Sequence, residues 1–164
     1  MGGARFEAAD PTIYFKIEIP ERKKGAMKLN AYLNFPGNCR EALRFYEKHL
    51  GAKIGMVMAY DEMPEPKNIP PGIGGDGVLH ARLDLAGTYL MASDVPHAEP
   101  MRSAYLTYSV DGTPEAERVY EVLSEGGEVF MPMGETFFAH RFAMLRDRFG
   151  INWMVIHERP MGPA

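Results

Sequence analysis

Three short matches recur in the same order along the chain and at almost constant spacing. Ala31-Tyr32-Leu33 returns as Ala104-Tyr105-Leu106, 73 residues on. Glu41-Ala42 returns as Glu115-Ala116 and Tyr46-Glu47 as Tyr120-Glu121, both 74 residues on. One inserted residue in a turn reconciles the two spacings, so duplication explains all three. A repeat of this kind is a supersecondary block that buries its apolar face only with the help of its neighbour. That constrains the fold more than composition does.

Each copy reads strand, turn, helix, then three more strands. In the first copy the strands are expected at Leu29–Phe35, Lys53–Tyr60, His80–Ala86 and Tyr89–Asp94. In the second they are expected at Ser103–Val110, Glu128–Met133, His140–Arg146 and Asn152–His157, giving eight strands and two helices. The first helix carries Cys39, Ala42, Leu43, Tyr46 and Leu50 at helical spacing. Asn38 with Glu41 makes a capping-box pattern ahead of it, and Gly51 is its stop. In the second copy Thr113 is the expected cap, Pro114 occupies the first helical position and Gly126-Gly127 ends the helix. Cys39 falls on the apolar stripe, which marks it as a packed small hydrophobe.

Two segments stand outside this pattern. Residues 1–26 form an N-terminal extension whose Thr12–Ile19 alternates like a strand. It reads either as an extra strand or dimer-embracing arm, or as a poorly ordered tail. Asp61–Gly77, rich in proline and glycine, reads as a lid or a disordered connection. The remainder, 27–164, is expected as a single domain of two modules, 27–100 and 101–160.

The strand that opens each copy has two unlike faces. Leu29, Ala31, Leu33 and Phe35 suit packing under a helix, whereas Asn30, Tyr32 and Asn34 do not. Tyr105 and Thr107 repeat this mixed face in the second copy. Aromatic and polar side chains at matching places suit the lining of a concave pocket. The chain is also rich in methionine, twelve in 164 residues, and this adaptable side chain suits cavities. Met56 and Met58 are expected on one strand face, and Met131 and Met133 on another.

Composition excludes several classes of function. A net charge of −4 argues against nucleic acid or an anionic membrane as the main partner. No apolar run approaches the roughly 18 residues of a spanning helix. A lone cysteine and a start without a leader pattern point to the reducing cytoplasm. No glycine-rich turn follows a strand in the manner of a nucleotide site.

Several segments, taken in order, resemble the PhnB-like (demethylubiquinone methyltransferase-like) branch of the vicinal oxygen chelate superfamily, which holds glyoxalases, bleomycin-resistance proteins and extradiol dioxygenases. They are the run from Tyr32 to Ala42, Asp61-Glu62-Met63-Pro64, Met91-Ala92-Ser93-Asp94, the run from Gly134 to His140, and Asp147 to Met154. The resemblance implies an α+β fold, two paired β-α-β-β-β modules forming a curved eight-stranded mixed sheet around a cleft, and commonly a homodimer. In metal-dependent members each module supplies a ligand from its first strand and one from its last. The corresponding positions here are Asn30, Met91, Tyr105 and Met154. Thioether sulfur and neutral amide or phenol oxygen are poor donors for a divalent first-row metal.

The leading expectation is therefore a protein that binds a small organic molecule without a cofactor, in a cleft lined by Asn30, Tyr32, Met91, Tyr105, Thr107 and Met154. Glu135 and His140 are the candidate acid–base groups near its mouth. The alternative is a lyase or isomerase of the glyoxalase type using Glu135 or His140 as base, with or without a displaced divalent metal on His80, Glu135 and His140. A third reading is an interaction module with a vestigial cleft.

Overall fold

Residues 29–64 and 68–160 are described by the computed structural model. The extension 1–26, with its expected strand, lies outside the described residues.

Alternation and helical stripes give every expected element, with β5 half as long as its expected range Ser103–Val110 and the other strand bounds moved by at most two residues. The first copy runs β1 (Ala31–Phe35), α1 (Cys39–Leu50), β2 (Lys53–Ala59), β3 (Val78–Leu85) and β4 (Thr88–Asp94). The second runs β5 (Leu106–Ser109), α2 (Thr113–Ser124), β6 (Glu128–Gly134), β7 (Ala139–Arg146) and β8 (Asn152–Glu158). Each copy folds into its own four-stranded mixed sheet, ordered β1-β4-β3-β2 and β5-β8-β7-β6. In both, the first and last strands pair in parallel and the rest antiparallel. The repeat in the sequence is thus a repeat in topology. The eight strands form two sheets rather than one continuous sheet, and among the described residues β1 and β5 are edge strands.

Helix α1 stops as expected, with Gly51 in the left-handed region at φ 71°. Its start differs from the capping-box expectation. The Asn38 side chain makes no cap bond, and its Oδ1 is buried without a partner. Asp94, at the end of β4, takes over that work. Its Oδ1 accepts from the backbone N–H of Gly37 and Cys39 at 3.0 and 2.9 Å, and its Oδ2 from that of Val78 at 2.8 Å. A carboxylate held by three N–H groups is a stronger acceptor than an amide, so the long-range cap wins. In α2 the cap position is Gly112 and Thr113 is already helical. The Thr113 hydroxyl instead meets His157 Nδ1 at 3.2 Å.

Both helices lie in one core. Leu33 and Leu83 of the first sheet, Leu43 and Tyr46 of α1, Val119 and Leu123 of α2, and Leu145 and Trp153 of the second sheet belong to a single buried cluster. The link between the copies is polar at its centre. The Tyr46 hydroxyl donates to Asp147 Oδ2 at 2.6 Å and Trp153 Nε1 donates to the same oxygen at 2.8 Å. Asp147 Oδ1 accepts from the N–H groups of Phe149 and Ile151, closing the turn before β8. Burial pushes the Asp147 carboxyl above the usual aspartate range, although all four hydrogen bonds pull the other way. Residues 29–159 form one compact unit.

The long β2–β3 connection is folded at both ends. Tyr60 and Asp61 donate from backbone nitrogen to the carbonyls of Gly77 and Gly75, and the Ile73 side chain is buried.

Candidate functional site

Strand register aligns side chains across the sheet face that turns away from the helices. In the first sheet Tyr32 pairs with Met91, Met91 with Arg82, and Arg82 with Met56. In the second sheet Thr107 pairs with Met154, Met154 with Met144, and Met144 with Met131. Each row therefore crosses four strands with a methionine from the last strand of its copy near the centre. Thr107 Oγ1 approaches Met154 Sδ at 3.9 Å, a weak hydrogen bond of the kind sulfur accepts. Alternation puts the apolar partners of these residues, such as Leu33, Ala92 and Trp153, into the shared core.

The two rows differ in their polar groups. On the first sheet the Tyr32 hydroxyl lies 3.0 Å from His80 Nδ1. Beside it the Ser93 hydroxyl donates to Asn34 Oδ1 at 3.1 Å. On the second sheet Arg146 uses all three of its nitrogens. It donates to Asn152 Oδ1, Glu128 Oε2 and the Met101 carbonyl, each at 3.0 Å, and lies over the Phe130 ring.

Asn30 and Tyr105 stand just ahead of β1 and β5. Asn30 is exposed, and the Tyr105 ring meets Phe130 edge-on at 6.4 Å between centroids. Tyr105 and Thr107 line a cavity of about 430 Å³ along the edge of β5, closed on its other side by Leu85, Thr88 and Leu90. A second cavity of about 380 Å³ lies in the seam between the copies, among Asn34, Asn38, Glu128 and Arg148. Neither joins Tyr32 and Met91 to Thr107 and Met154. The structure thus gathers the six proposed lining residues as two groups, one per sheet.

Glu135, His140 and His80 are likewise dispersed. Glu135 is ion-paired with Arg159. His140, on β7, stacks on His157 with centroids 4.8 Å apart, while His80 is on β3 in the other sheet. Among the described residues no three His, Cys, Asp or Glu side chains are grouped to hold an ion. The four residues expected at the superfamily's metal positions, Asn30, Met91, Tyr105 and Met154, make a donor set that does not fit a divalent first-row cation. Cys39 is no nucleophile either, since burial first and Asp94 second push its thiol up to about 12.

One part of the methionine pattern changes. A bulge between Met131 and Gly134 breaks the β6 alternation. Met133 packs against the core while Met131 stays 44% exposed, so the two do not share a face. Met144 and Arg82 are row members absent from the expected lining, and Met144 was not singled out at all. Its signal was the alternation Phe142, Met144, Arg146 along β7.

The model of the glyoxalase/bleomycin resistance protein/dioxygenase superfamily matches residues 28–155. The protein YjdN of Escherichia coli strain K12 is 33% identical over 145 residues, covering 82% of this chain and 99% of its own. The crystal structure of protein PA1353 from Pseudomonas aeruginosa is 40% identical, with a TM-score of 0.70 over 80% of this chain and 97% of that one. A PhnB protein from Bacillus cereus, described as a putative 3-demethylubiquinone-9 3-methyltransferase, is 27% identical with a TM-score of 0.67, over 79% and 98% of the two chains. The chain belongs to the glyoxalase/bleomycin resistance/dioxygenase superfamily. Within it, these relatives place the chain in the PhnB-like branch. No helix among the described residues is long and apolar enough to cross a membrane.

Proposed function

We propose that this protein binds a small organic molecule, without a metal, against the outward faces of its two sheets. The carrying observation is the pair of rows centred on Met91 and Met154. Soft, polarizable side chains occupy the places where chelating relatives hold a cation, and they suit an apolar ligand body. Asn30 and Tyr32 supply hydrogen bonds at one row, Tyr105 and Thr107 at the other.

The cleft is completed by a second copy of the chain. The two rows lie on different sheets with the shared core between them. A cleft lined by both rows then needs the first sheet of one protomer beside the second sheet of its partner. The edges of β1 and β5, which pair with no further strand among the described residues, and the cavity along β5 favour that arrangement. Bleomycin-resistance proteins are a precedent for binding without turnover. The buried thiol of Cys39 and the absence of any second cysteine suit a reducing cytoplasm.

A thermal-shift panel of metabolites with and without chelator tests the binding reading. The expected result is stabilisation by organic ligands that survives chelation. One tightly held transition metal per chain by elemental analysis would overturn the metal-free reading. Light scattering should report a dimer, and a monomer that still binds ligand would overturn the shared cleft.

A further inference from the structure

The two rows differ in one respect that bears on ligand chemistry. Arg146 on the second sheet spends its donors on Asn152, Glu128 and Met101. Arg82 on the first sheet makes no ion pair among the described residues. Its guanidinium stands 5.9 Å from the centroid of the exposed Tyr89 ring, on the outward face. The nearest carboxylate along β3, Asp84, accepts from the Gly87 N–H at the β3–β4 turn. Arg82 therefore presents a fixed positive charge with hydrogen-bonding capacity to spare.

Tyr32 stands two strands away on β1, and its partner His80 is on β3 itself, two residues before Arg82. Whichever way the proton of this pair lies, one donor is left over. If Nδ1 accepts from the Tyr32 hydroxyl, the ring's Nε2–H is free to donate; if Nδ1–H donates, the Tyr32 hydroxyl is free. Met91 lies between Tyr32 and Arg82 in the register, with Met56 beyond. The Cα atoms of Tyr32 and Arg82 are then about 10 Å apart, two strand spacings. That gap matches two side chains reaching inward over a methionine floor toward one small polar group.

Resting on the binding reading above, we propose that the outward face of the first sheet selects an anionic ligand. Arg82 and the Tyr32–His80 pair receive the oxygens of a carboxylate-type group, and the ligand's apolar body lies on Met91 and Met56. Guanidinium is suited to this because its planar donors match the paired oxygens of an oxyanion. The second sheet, whose Arg141 and Arg146 are already ion-paired with Glu117 and Glu128, contributes only soft apolar contact. The ligand class is therefore a small organic acid with an unsaturated or apolar body.

Methionine-methyl NMR on the full-length protein tests this, with benzoate and its neutral isostere benzamide as probes. Benzoate should bind at least tenfold more tightly and should move the Met56, Met58 and Met91 methyl signals. In Arg82→Met the preference should fall to within twofold, with the melting temperature unchanged. Arg148→Met, which removes an equal charge elsewhere, should leave the preference intact. Tyr32→Phe should weaken benzoate binding severalfold without abolishing the charge preference. Equal binding of the two probes overturns anion selection but leaves small-molecule binding standing. Benzoate signals confined to Met131, Met144 and Met154 overturn the assignment to the first sheet. No binding of either probe overturns this inference, and the metabolite panel then decides the broader reading separately.

Discussion

Replacing Tyr46 by phenylalanine removes one oxygen atom from the middle of the core. Its hydroxyl donates a 2.6 Å hydrogen bond to Asp147 Oδ2, and both residues are almost wholly inaccessible. Hydrogen bonds to a charged group contribute about 1.5–3 kcal/mol. The carboxylate keeps three donors, from Trp153, Phe149 and Ile151, so the expected loss lies within that range rather than above it. With a urea m-value of about 2 kcal/mol/M, the unfolding midpoint should drop by about 1 M. The effect has a pH signature. Burial already raises the Asp147 pKa above its unfolded 3.8. Charging this group thus costs stability as pH rises through the folded pKa, and below 3.8 that cost is absent. Tyr46→Phe removes support for the charged form and raises the folded pKa further. The deficit should therefore be full at neutral pH and shrink as pH falls through the raised value. Urea denaturation of both proteins between pH 4 and 8, followed by tryptophan fluorescence, measures it. A deficit under about 0.5 kcal/mol at pH 7, or one that grows on acidification, would refute the account of this core.

Other expectations follow from equally local geometry. Asp94→Ala leaves the N–H groups of Gly37, Cys39 and Val78 without their acceptor; a loss of about 3–5 kcal/mol is expected by chemical denaturation. Gly127→Ala would put a Cβ 2.3 Å from the Arg146 carbonyl oxygen and 3.1 Å from that of Leu123. Both obstacles are backbone, so this variant should lose more stability than Gly51→Ala, where space is open and only the positive φ costs, about 1 kcal/mol. Cys39 should react with a thiol reagent at pH 8 at least tenfold faster in denaturant than in the native protein, since burial holds its thiol at about 12.

What could be read in advance was whatever depends on neighbours in sequence. Periodicity of two and of 3.6 located eight strands and two helices, and the recurrence of Ala-Tyr-Leu foretold two copies of one topology. Facing of the opening strands was also legible, because alternation alone separates Leu33 from Tyr32. The same alternation failed at β6, where a bulge turns Met133 inward, since bulges arise from pairing with a partner strand. Capping failed for the same kind of reason. Asn38 has the right chemistry in the right place, but Asp94, 55 residues beyond Cys39, arrives with a charge and three bonds to offer.

The candidate site divides along the same line. Which residue types stand on the outward faces, and that methionines stand at 91 and 154, are properties of the sequence alone. Which arginine lacks an ion-pair partner among the described residues is not. Arg82 and Arg146 look alike on paper, each in an alternating strand. Only the folded chain brings Glu128, Asn152 and the Met101 carbonyl to one of them and leaves the other facing Tyr89. The partition of the lining residues between two sheets was equally hidden. Local pattern determines which face a side chain occupies, whereas packing of two copies around Tyr46, Asp147 and Trp153 decides where those faces point.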